Sequence, residues 1–221
     1  MVGADVVRRF DVNVTGRDFV IGDLHGCYDK LMACLDDVDF DRRVDRVFSV
    51  GDLIDRGPDS ERCLRLVHEP WFFAVMGNHE AMMIDATLGP EGTAEWYISG
   101  GVWSSRLDYA TREALVRIAL ELPLAIQVGD FGIVHAEPVD NWAYIDRIDR
   151  EPWFTQALWG RDIIFDQTEK KVRNIREVYV GHTIVDRPDR YGNVVFIDTG
   201  AFRHNGYLTM LELAHEAVEL E

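Results

Sequence analysis

The chain has 221 residues, of which 47% are hydrophobic and 28% charged, and its formal net charge is −16. These values are ordinary for a globular protein, and we treat residues 1–221 as a single domain. No apolar run approaches the roughly 20 residues that a membrane-spanning helix needs, so no membrane partner is expected. A surface this acidic repels a phosphate backbone, which argues against a general DNA- or RNA-binding protein.

The N-terminal segment and the cysteines both favour a cytoplasmic protein. Residues 1–18 mix Asp and Arg among short apolar stretches and lack the continuous apolar centre of a secretory signal. The three cysteines, Cys27, Cys34 and Cys63, form an odd set without a C-x-x-C pair. That pattern argues against a disulfide framework and fits a reducing compartment.

The first third of the chain repeats one pattern, a short apolar run that ends in a glycine followed by a polar residue. The runs are Phe19-Val20-Ile21, Val47-Phe48-Ser49-Val50 and Phe73-Ala74-Val75-Met76, and the pairs are Gly22-Asp23, Gly51-Asp52 and Gly77-Asn78. Residues 28–38 and 60–68, which lie between the runs, carry apolar residues at helical spacing. The order β-α-β-α-β predicts parallel strands joined by right-handed crossovers.

The rest of the chain is richer in strands. A glycine-rich aromatic stretch at residues 95–103 and a predicted helix near residues 111–120 come first. Strand-like runs follow at residues 124–128, 131–134, 177–180, 194–197 and 207–213, with turns predicted at Gly129-Asp130 and residues 189–192. Residues 137–171, rich in Trp and charge, fit no single pattern. We predict an α/β protein in which two packed mixed β-sheets are flanked by helices (α/β/β/α).

Residues of metal-binding type follow five of these predicted strands. In open α/β sheets ligands bind at the carboxyl ends of the strands, and a glycine there lets the backbone turn sharply. The candidate metal ligands are Asp23, His25, Asp52, Asn78, His135 and His182. Any one of them alone would more often be a turn or capping residue. Because the same placement recurs at five strand ends, the sequence indicates a shared metal centre.

The mixture of ligand types indicates which ions could bind. Asp, His and Asn together suit borderline divalent ions such as Mn²⁺, Fe²⁺ or Zn²⁺ rather than Ca²⁺. If two ions lie roughly 3.5–4 Å apart, one carboxylate must bridge them, and Asp52 is the candidate because it is central in order. Such a pair would lower the pKa of a shared water to roughly 7 and so supply hydroxide for in-line attack on phosphorus.

At these residues the chain resembles the PPP-type metallophosphoesterases, which have the calcineurin-like fold. The matching segments are Gly22-Asp23-Leu24-His25-Gly26, Gly51-Asp52-Leu53-Ile54-Asp55-Arg56-Gly57, Gly77-Asn78-His79-Glu80, His135, Gly181-His182-Thr183 and Asp198-Thr199-Gly200-Ala201. The resemblance covers nearly the whole chain and is closest to the compact lambda-type phage and bacterial Ser/Thr protein phosphatases. Glu95-Trp96 through Gly100-Gly101 and Trp159-x-Arg161 are also similar to that branch.

The resemblance implies a binuclear metal centre, with Mn²⁺ as the expected ion and Fe or Zn as alternatives. The implied ligands are Asp23 and His25 for the first ion, Asp52 as the bridge, and Asn78, His135 and His182 for the second ion. Asp198 could orient one of these ligands through a hydrogen bond.

The resemblance also implies which residues act on the substrate. His79 would be the general acid for the leaving alkoxide, oriented by Asp55, whose charge would raise the pKa of the imidazole. Arg56 and Arg161 would clamp the phosphoryl oxygens through their planar guanidinium groups. A structural role remains an alternative for Arg161 because its motif is short. Glu80 is expected to support the start of a helix rather than to act on substrate.

The leading hypothesis for function is therefore a metal-dependent protein phosphatase acting on phosphoserine and phosphothreonine, with phosphotyrosine and small aryl phosphates as further candidate substrates. The alternative is a symmetrical dinucleoside tetraphosphate hydrolase, because bacterial members of that group share the Gly-Asp-x-His-Gly-Cys-Tyr segment and the Arg-Gly-Pro. They are longer, however, and usually lack an acidic residue at the position of Asp55. A non-enzymatic scaffold is a third hypothesis, disfavoured because all six ligand residues are present.

Overall fold

The computed structural model describes residues 5–214, so the first four residues of the predicted N-terminal segment lie outside it. The strands of this range are β1 Val7–Phe10, β2 Asp18–Ile21, β3 Arg46–Ser49, β4 Phe72–Ala74, β5 Ala125–Val128, β6 Phe131–Val134, β7 Glu177–Val180, β8 Asp189–Tyr191, β9 Val194–Phe196 and β10 Met210–Glu212. The α-helices are α1 Tyr28–Asp37, α2 Ser60–Arg65, α3 Asn78–Asp85, α4 Pro90–Ser99, α5 Tyr109–Leu120, α6 Trp153–Trp159 and α7 Asp162–Phe165. Short 3-10 helices lie at Leu66–His68, Gly101–Arg106 and Trp142–Arg147.

The strands form two mixed sheets. The four-stranded sheet has the order β10-β2-β3-β4, in which β2, β3 and β4 are parallel and β10 is antiparallel to β2. The six-stranded sheet has the order β1-β5-β6-β7-β9-β8 and contains the antiparallel pairs β5–β6 and β8–β9. Helix α1 connects β2 to β3 and α2 connects β3 to β4, so the predicted unit of parallel strands is confirmed.

The side chains alternate between the two faces of each sheet, as the two-residue period of a strand requires. Val20 and Phe48 pack between the two sheets, against Ile126 and Ile133 of the six-stranded sheet. On its other face the four-stranded sheet packs against apolar residues of α1, α2 and α5, and the six-stranded sheet packs against α6 and α7. The predicted α/β/β/α architecture is therefore confirmed.

Some elements differ from the sequence prediction. Strands β1 and β8 are the two edges of the six-stranded sheet, and their charged sequences VRRF and DRY carried no apolar alternation to reveal them. The turn predicted at residues 189–192 is wrong in position, because Asp189–Tyr191 is β8 and the turn is formed by Gly192 and Asn193. Residues 95–103 belong to α4 and the 3-10 helix that follows it.

No helix within residues 5–214 is long and apolar enough to cross a membrane. Cys27, Cys34 and Cys63 are all free thiols.

Candidate metal centre and active site

The candidate site lies where strands of both sheets end. Asp23, Asp52 and Asn78 follow β2, β3 and β4 of the four-stranded sheet, whereas His135 and His182 follow β6 and β7 of the six-stranded sheet. The structure brings all six predicted ligands together here, and all but His182 are buried. The close approach of the two sheets leaves no room for side chains at some positions, since a Cβ on Gly22 would lie 2.3 Å from the carbonyl oxygen of Ile197.

Asp52 lies at the centre of the cluster and faces histidines on both sides. Its Oδ2 is 3.5 Å from Nε2 of His25, and its Oδ1 is 3.5 Å from Nε2 of His135. Within residues 5–214, two groups of three side chains have possible ligand atoms within 4.8 Å of one another. Asp52 belongs to both groups, to one with His25 and His79 and to the other with Asp23 and His135. One carboxylate could therefore contribute an oxygen to each of two ions.

The buried histidines present their Nε2 atoms to this cluster. Nδ1 of His25 lies 2.8 Å from the carbonyl oxygen of Ile54, and Nδ1 of His135 lies 2.8 Å from that of Val50. A carbonyl can only accept, so each Nδ1 carries the proton and each Nε2 keeps the lone pair that could bind an ion. Burial lowers the pKa of His25 to about 3 and lowers that of His135 as well. Both imidazoles are thus in the neutral form that binds metal.

Asn78 and His182 complete the side of the cluster nearest the six-stranded sheet. Oδ1 of Asn78 lies 2.8 Å from Nε2 of His135 and 3.0 Å from Nδ1 of His182. The backbone N–H of His182 donates to both carboxylate oxygens of Asp23, at 3.2 and 3.1 Å. His182, which follows a strand of the six-stranded sheet, therefore contacts two predicted ligands that follow strands of the four-stranded sheet.

The charges at the site fit divalent cations. Asp23, Asp52 and Asp198 are all buried, and Oδ2 of Asp198 has no hydrogen-bond partner within residues 5–214. Burial together with the charges of Asp198 and Asp52 raises the pKa of Asp23 well above its ordinary value. Burial also raises the pKa of Asp198 to about 6. A buried group of carboxylates is costly unless cations compensate it, and the Asp, His and Asn donors suit borderline divalent ions.

His79 and Asp55 form a hydrogen-bonded pair beside this cluster. Nδ1 of His79 lies 2.6 Å from Oδ2 of Asp55, and both side chains are buried. Burial alone would lower the pKa of His79, but the charge of Asp52 and the hydrogen bond to Asp55 raise it above its ordinary value. His79 can therefore carry a proton that the neighbouring histidines do not.

Both predicted arginines reach the site. Nη1 of Arg56 lies 2.5 Å from Nε2 of His25, and Nη2 lies 2.8 Å from Nε2 of His79. The guanidinium group of Arg56 also lies 4.8 Å from the ring centroid of Phe202. Arg161 is exposed and donates from Nε to Nε2 of His182 at 3.0 Å. Arg56 thus lies beside the predicted ligand His25, and Arg161 lies beside the predicted ligand His182.

Further side chains contact the predicted site residues, and the sequence assigned no role to the aromatic ones. Trp96 and Trp103 both donate their indole N–H to Asp55, and Phe202 packs edge-on against His25 at 5.1 Å between ring centroids. The expected support by Glu80 extends beyond its own helix, because its carboxylate accepts from backbone N–H groups of the loop after β3. The aromatic, glycine-rich stretch at residues 95–103 was the one sequence signal for the tryptophans.

Comparison with known proteins identifies the family. Residues 19–207 match the family described as calcineurin-like phosphoesterase. The chain is 35% identical to serine/threonine-protein phosphatase 1 of Salmonella typhimurium, over 95% of this chain and 97% of that protein. It is 32% identical to a symmetrical bis(5'-nucleosyl)-tetraphosphatase of Dechloromonas aromatica, over 56% of this chain and 45% of that protein.

A solved structure supports the same fold. A protein serine/threonine phosphatase of Saccharomyces cerevisiae is 18% identical and has a TM-score of 0.64, with 89% of this chain and 71% of that chain covered. The fold and the clustered Asp and His residues define a metallophosphoesterase. The chain belongs to the calcineurin-like phosphoesterase family, whose members are hydrolases that use divalent metals.

Proposed function

We propose that this protein is a phosphoprotein phosphatase that hydrolyses phosphoserine and phosphothreonine, with phosphotyrosine and small aryl phosphates as further substrates. The observation that carries the proposal is the 2.6 Å hydrogen bond between His79 and Asp55. A serine alkoxide is a poor leaving group, so its departure gains from a positioned general acid. Asp55 accepts from Nδ1, so Nε2 of His79 is the atom that would pass a proton to the alkoxide once Arg56, whose Nη2 lies 2.8 Å from it, turns to the phosphoryl group.

In this proposal, the six predicted ligand residues would hold two metal ions. Two divalent ions, with Mn²⁺ as our first choice and Fe or Zn as alternatives, would supply an acidified shared water as nucleophile and neutralise phosphoryl charge. The residues that would hold them are Asp23 and His25 for one ion, Asp52 between the two, and Asn78, His135 and His182 for the other. The neutral imidazoles of His25 and His135 support these assignments.

The arginines would bind the phosphoryl group. A guanidinium group offers parallel N–H donors that match two phosphoryl oxygens, and Arg56 lies next to the general acid His79. Arg161 lies on the side of His182 and, being exposed, can reach an incoming phosphate. The three free thiols support a cytoplasmic location for this activity.

A symmetrical dinucleoside tetraphosphate hydrolase is the second candidate. It is supported by the tetraphosphatase of Dechloromonas aromatica, but the chain spans 45% of that relative and 97% of the Salmonella phosphatase. A nucleotide phosphate is also a far better leaving group than an alkoxide, so it has less need of the His79–Asp55 pair.

A parallel assay separates the two functions. We expect the Mn²⁺-loaded protein to hydrolyse phosphoserine and phosphothreonine peptides with a higher kcat/KM than diadenosine tetraphosphate. Both substrates are compared in the same preparation, so that metal content and active fraction are identical. A preference of more than about tenfold for diadenosine tetraphosphate, roughly 1.4 kcal/mol in transition-state binding, would reverse the assignment.

A further inference from the structure

The Asp55 carboxylate is held by more donors than its partnership with His79 requires. Oδ2 accepts from Nδ1 of His79 at 2.6 Å and from Nε1 of Trp96 at 2.8 Å. Oδ1 accepts from Nε1 of Trp103 at 2.6 Å. The carboxylate is fully buried, and the tryptophans lie 41 and 48 residues away along the chain. The stretch that carries both tryptophans and the helix that carries His79 therefore converge on the Asp55 side chain.

We propose that Trp96 and Trp103 are positioning residues for the general acid, and that they act by fixing the plane of the Asp55 carboxylate. The inference rests on the proposed function of His79. An indole N–H can only donate, so both tryptophans require Asp55 to accept. With one indole donor on each oxygen, the carboxylate cannot rotate away from Nδ1 of His79 without breaking a buried hydrogen bond to a tryptophan.

The backbone around the tryptophans is shaped to bring them to Asp55. A Cβ on Gly101 would lie 2.5 Å from the ring of Trp96, and a Cβ on Gly100 would lie 3.2 Å from Cβ of Asp55. Gly100 also has a φ of +128°, which residues with side chains rarely adopt. The two rings then meet edge to face, with centroids 6.2 Å apart and an interplanar angle of 85°. This packing leaves each indole N–H directed at the carboxylate.

The proposal predicts an effect that depends on the leaving group. An alkyl phosphate such as phosphoserine needs the proton of His79, whereas an aryl phosphate such as p-nitrophenyl phosphate has a leaving group that departs without it. We expect Trp96→Phe and Trp103→Phe each to lower kcat for a phosphoserine peptide about tenfold, because a hydrogen bond to a charged group is lost. The kcat for p-nitrophenyl phosphate should change less than about twofold. The ratio of the two rates, measured in one sample, is independent of any loss of folded protein.

Trp71→Phe is the matched control. Trp71 is also buried, but its Nε1 makes no hydrogen bond within residues 5–214, so the substitution shrinks a buried indole without removing a hydrogen bond. Its alkyl-to-aryl rate ratio should equal that of the wild-type protein. The proposal would be overturned if Trp96→Phe and Trp103→Phe both left the ratio of the phosphoserine rate to the p-nitrophenyl phosphate rate unchanged. An equal fall in the two rates would be such a result.

A double-substitution cycle tests the route of the effect. If the tryptophans act through Asp55 and His79, Trp103→Phe should have no further effect on the phosphoserine rate in a His79→Asn protein. A second, independent tenfold fall in that background would contradict the proposal. The failure of the proposed function is seen elsewhere, in a preference of the wild-type protein for diadenosine tetraphosphate, so the two failures are distinguishable.

Discussion

At the scale of single residues, the histidines of the site differ in protonation because their neighbours differ. Burial lowers the pKa of His25 and of His182 to about 3. His79 is buried too and, like His25, faces Asp52, but it also bonds to Asp55, and its pKa is raised instead. Four imidazoles within one cluster can thus include neutral metal ligands and a proton donor.

The first prediction concerns His79. His79→Asn should leave the metal content intact while lowering kcat for a phosphoserine peptide by about 10²–10⁴-fold, because it removes the proton donor. The kcat for p-nitrophenyl phosphate should fall far less. Steady-state kinetics on both substrates and metal analysis of the purified variant measure the effect. An equal loss on both substrates would refute the general-acid role.

At the scale of elements, the loop after β3 depends on a side chain of helix α3. Asp52, Asp55 and Arg56 all have positive φ, between 49° and 73°, a region that residues with side chains seldom occupy. The carboxylate of Glu80 accepts from the backbone N–H groups of Asp52, Leu53, Ile54 and Gly77, at 2.8 to 3.2 Å. The start of α3 therefore holds the loop that carries the central carboxylate.

The second prediction concerns this contact. Glu80→Gln replaces one acceptor oxygen by an NH₂ group that faces backbone donors. It should lower the free energy of unfolding by about 2–4 kcal/mol, because buried N–H groups lose their partner. Denaturant unfolding of the metal-free protein measures it. Glu113→Gln, the same change on the exposed face of α5, should alter the stability by less than about 0.5 kcal/mol. Equal effects of the two substitutions would contradict the role of Glu80.

At the scale of the whole molecule, the set of predicted ligands spans both sheets. Asp23, His25, Asp52 and Asn78 follow strands of one sheet, whereas His135 and His182 follow strands of the other. Ions bound by this set would connect the two layers and neutralise the buried carboxylates. Metal binding is then linked to the stability of the entire fold.

The third prediction follows from that linkage. Removal of divalent ions by a chelator should lower Tm by about 5–10 °C, since one ion at a hundredfold excess over its Kd contributes about 2.7 kcal/mol. Thermal unfolding with and without Mn²⁺ measures the shift. Asp52→Asn should abolish the shift and deplete both ions, whereas His68→Asn, at an exposed histidine outside the site, should retain it. Full two-metal occupancy in Asp52→Asn would rule out the bridging role.

Local sequence patterns are enough to predict the β-α-β-α-β unit, the two-sheet class and the residues gathered at the strand ends. These features depend on the period of apolar residues and on glycines at chain turns, and both can be read from residues that are close together in the sequence. The edge strand β8 was missed because solvent exposure removes the apolar alternation on which such predictions rely.

The support of the site, in contrast, depends on contacts that form only in the folded chain. Which nitrogen His25 and His135 present depends on carbonyl groups of distant residues, as in the contact between His135 and Val50. The donation of Trp96 and Trp103 to Asp55 and the hold of Glu80 on the loop after β3 join segments far apart in the chain. Such contacts are set by the packing and orientation of whole elements, and no local pattern of residues encodes them.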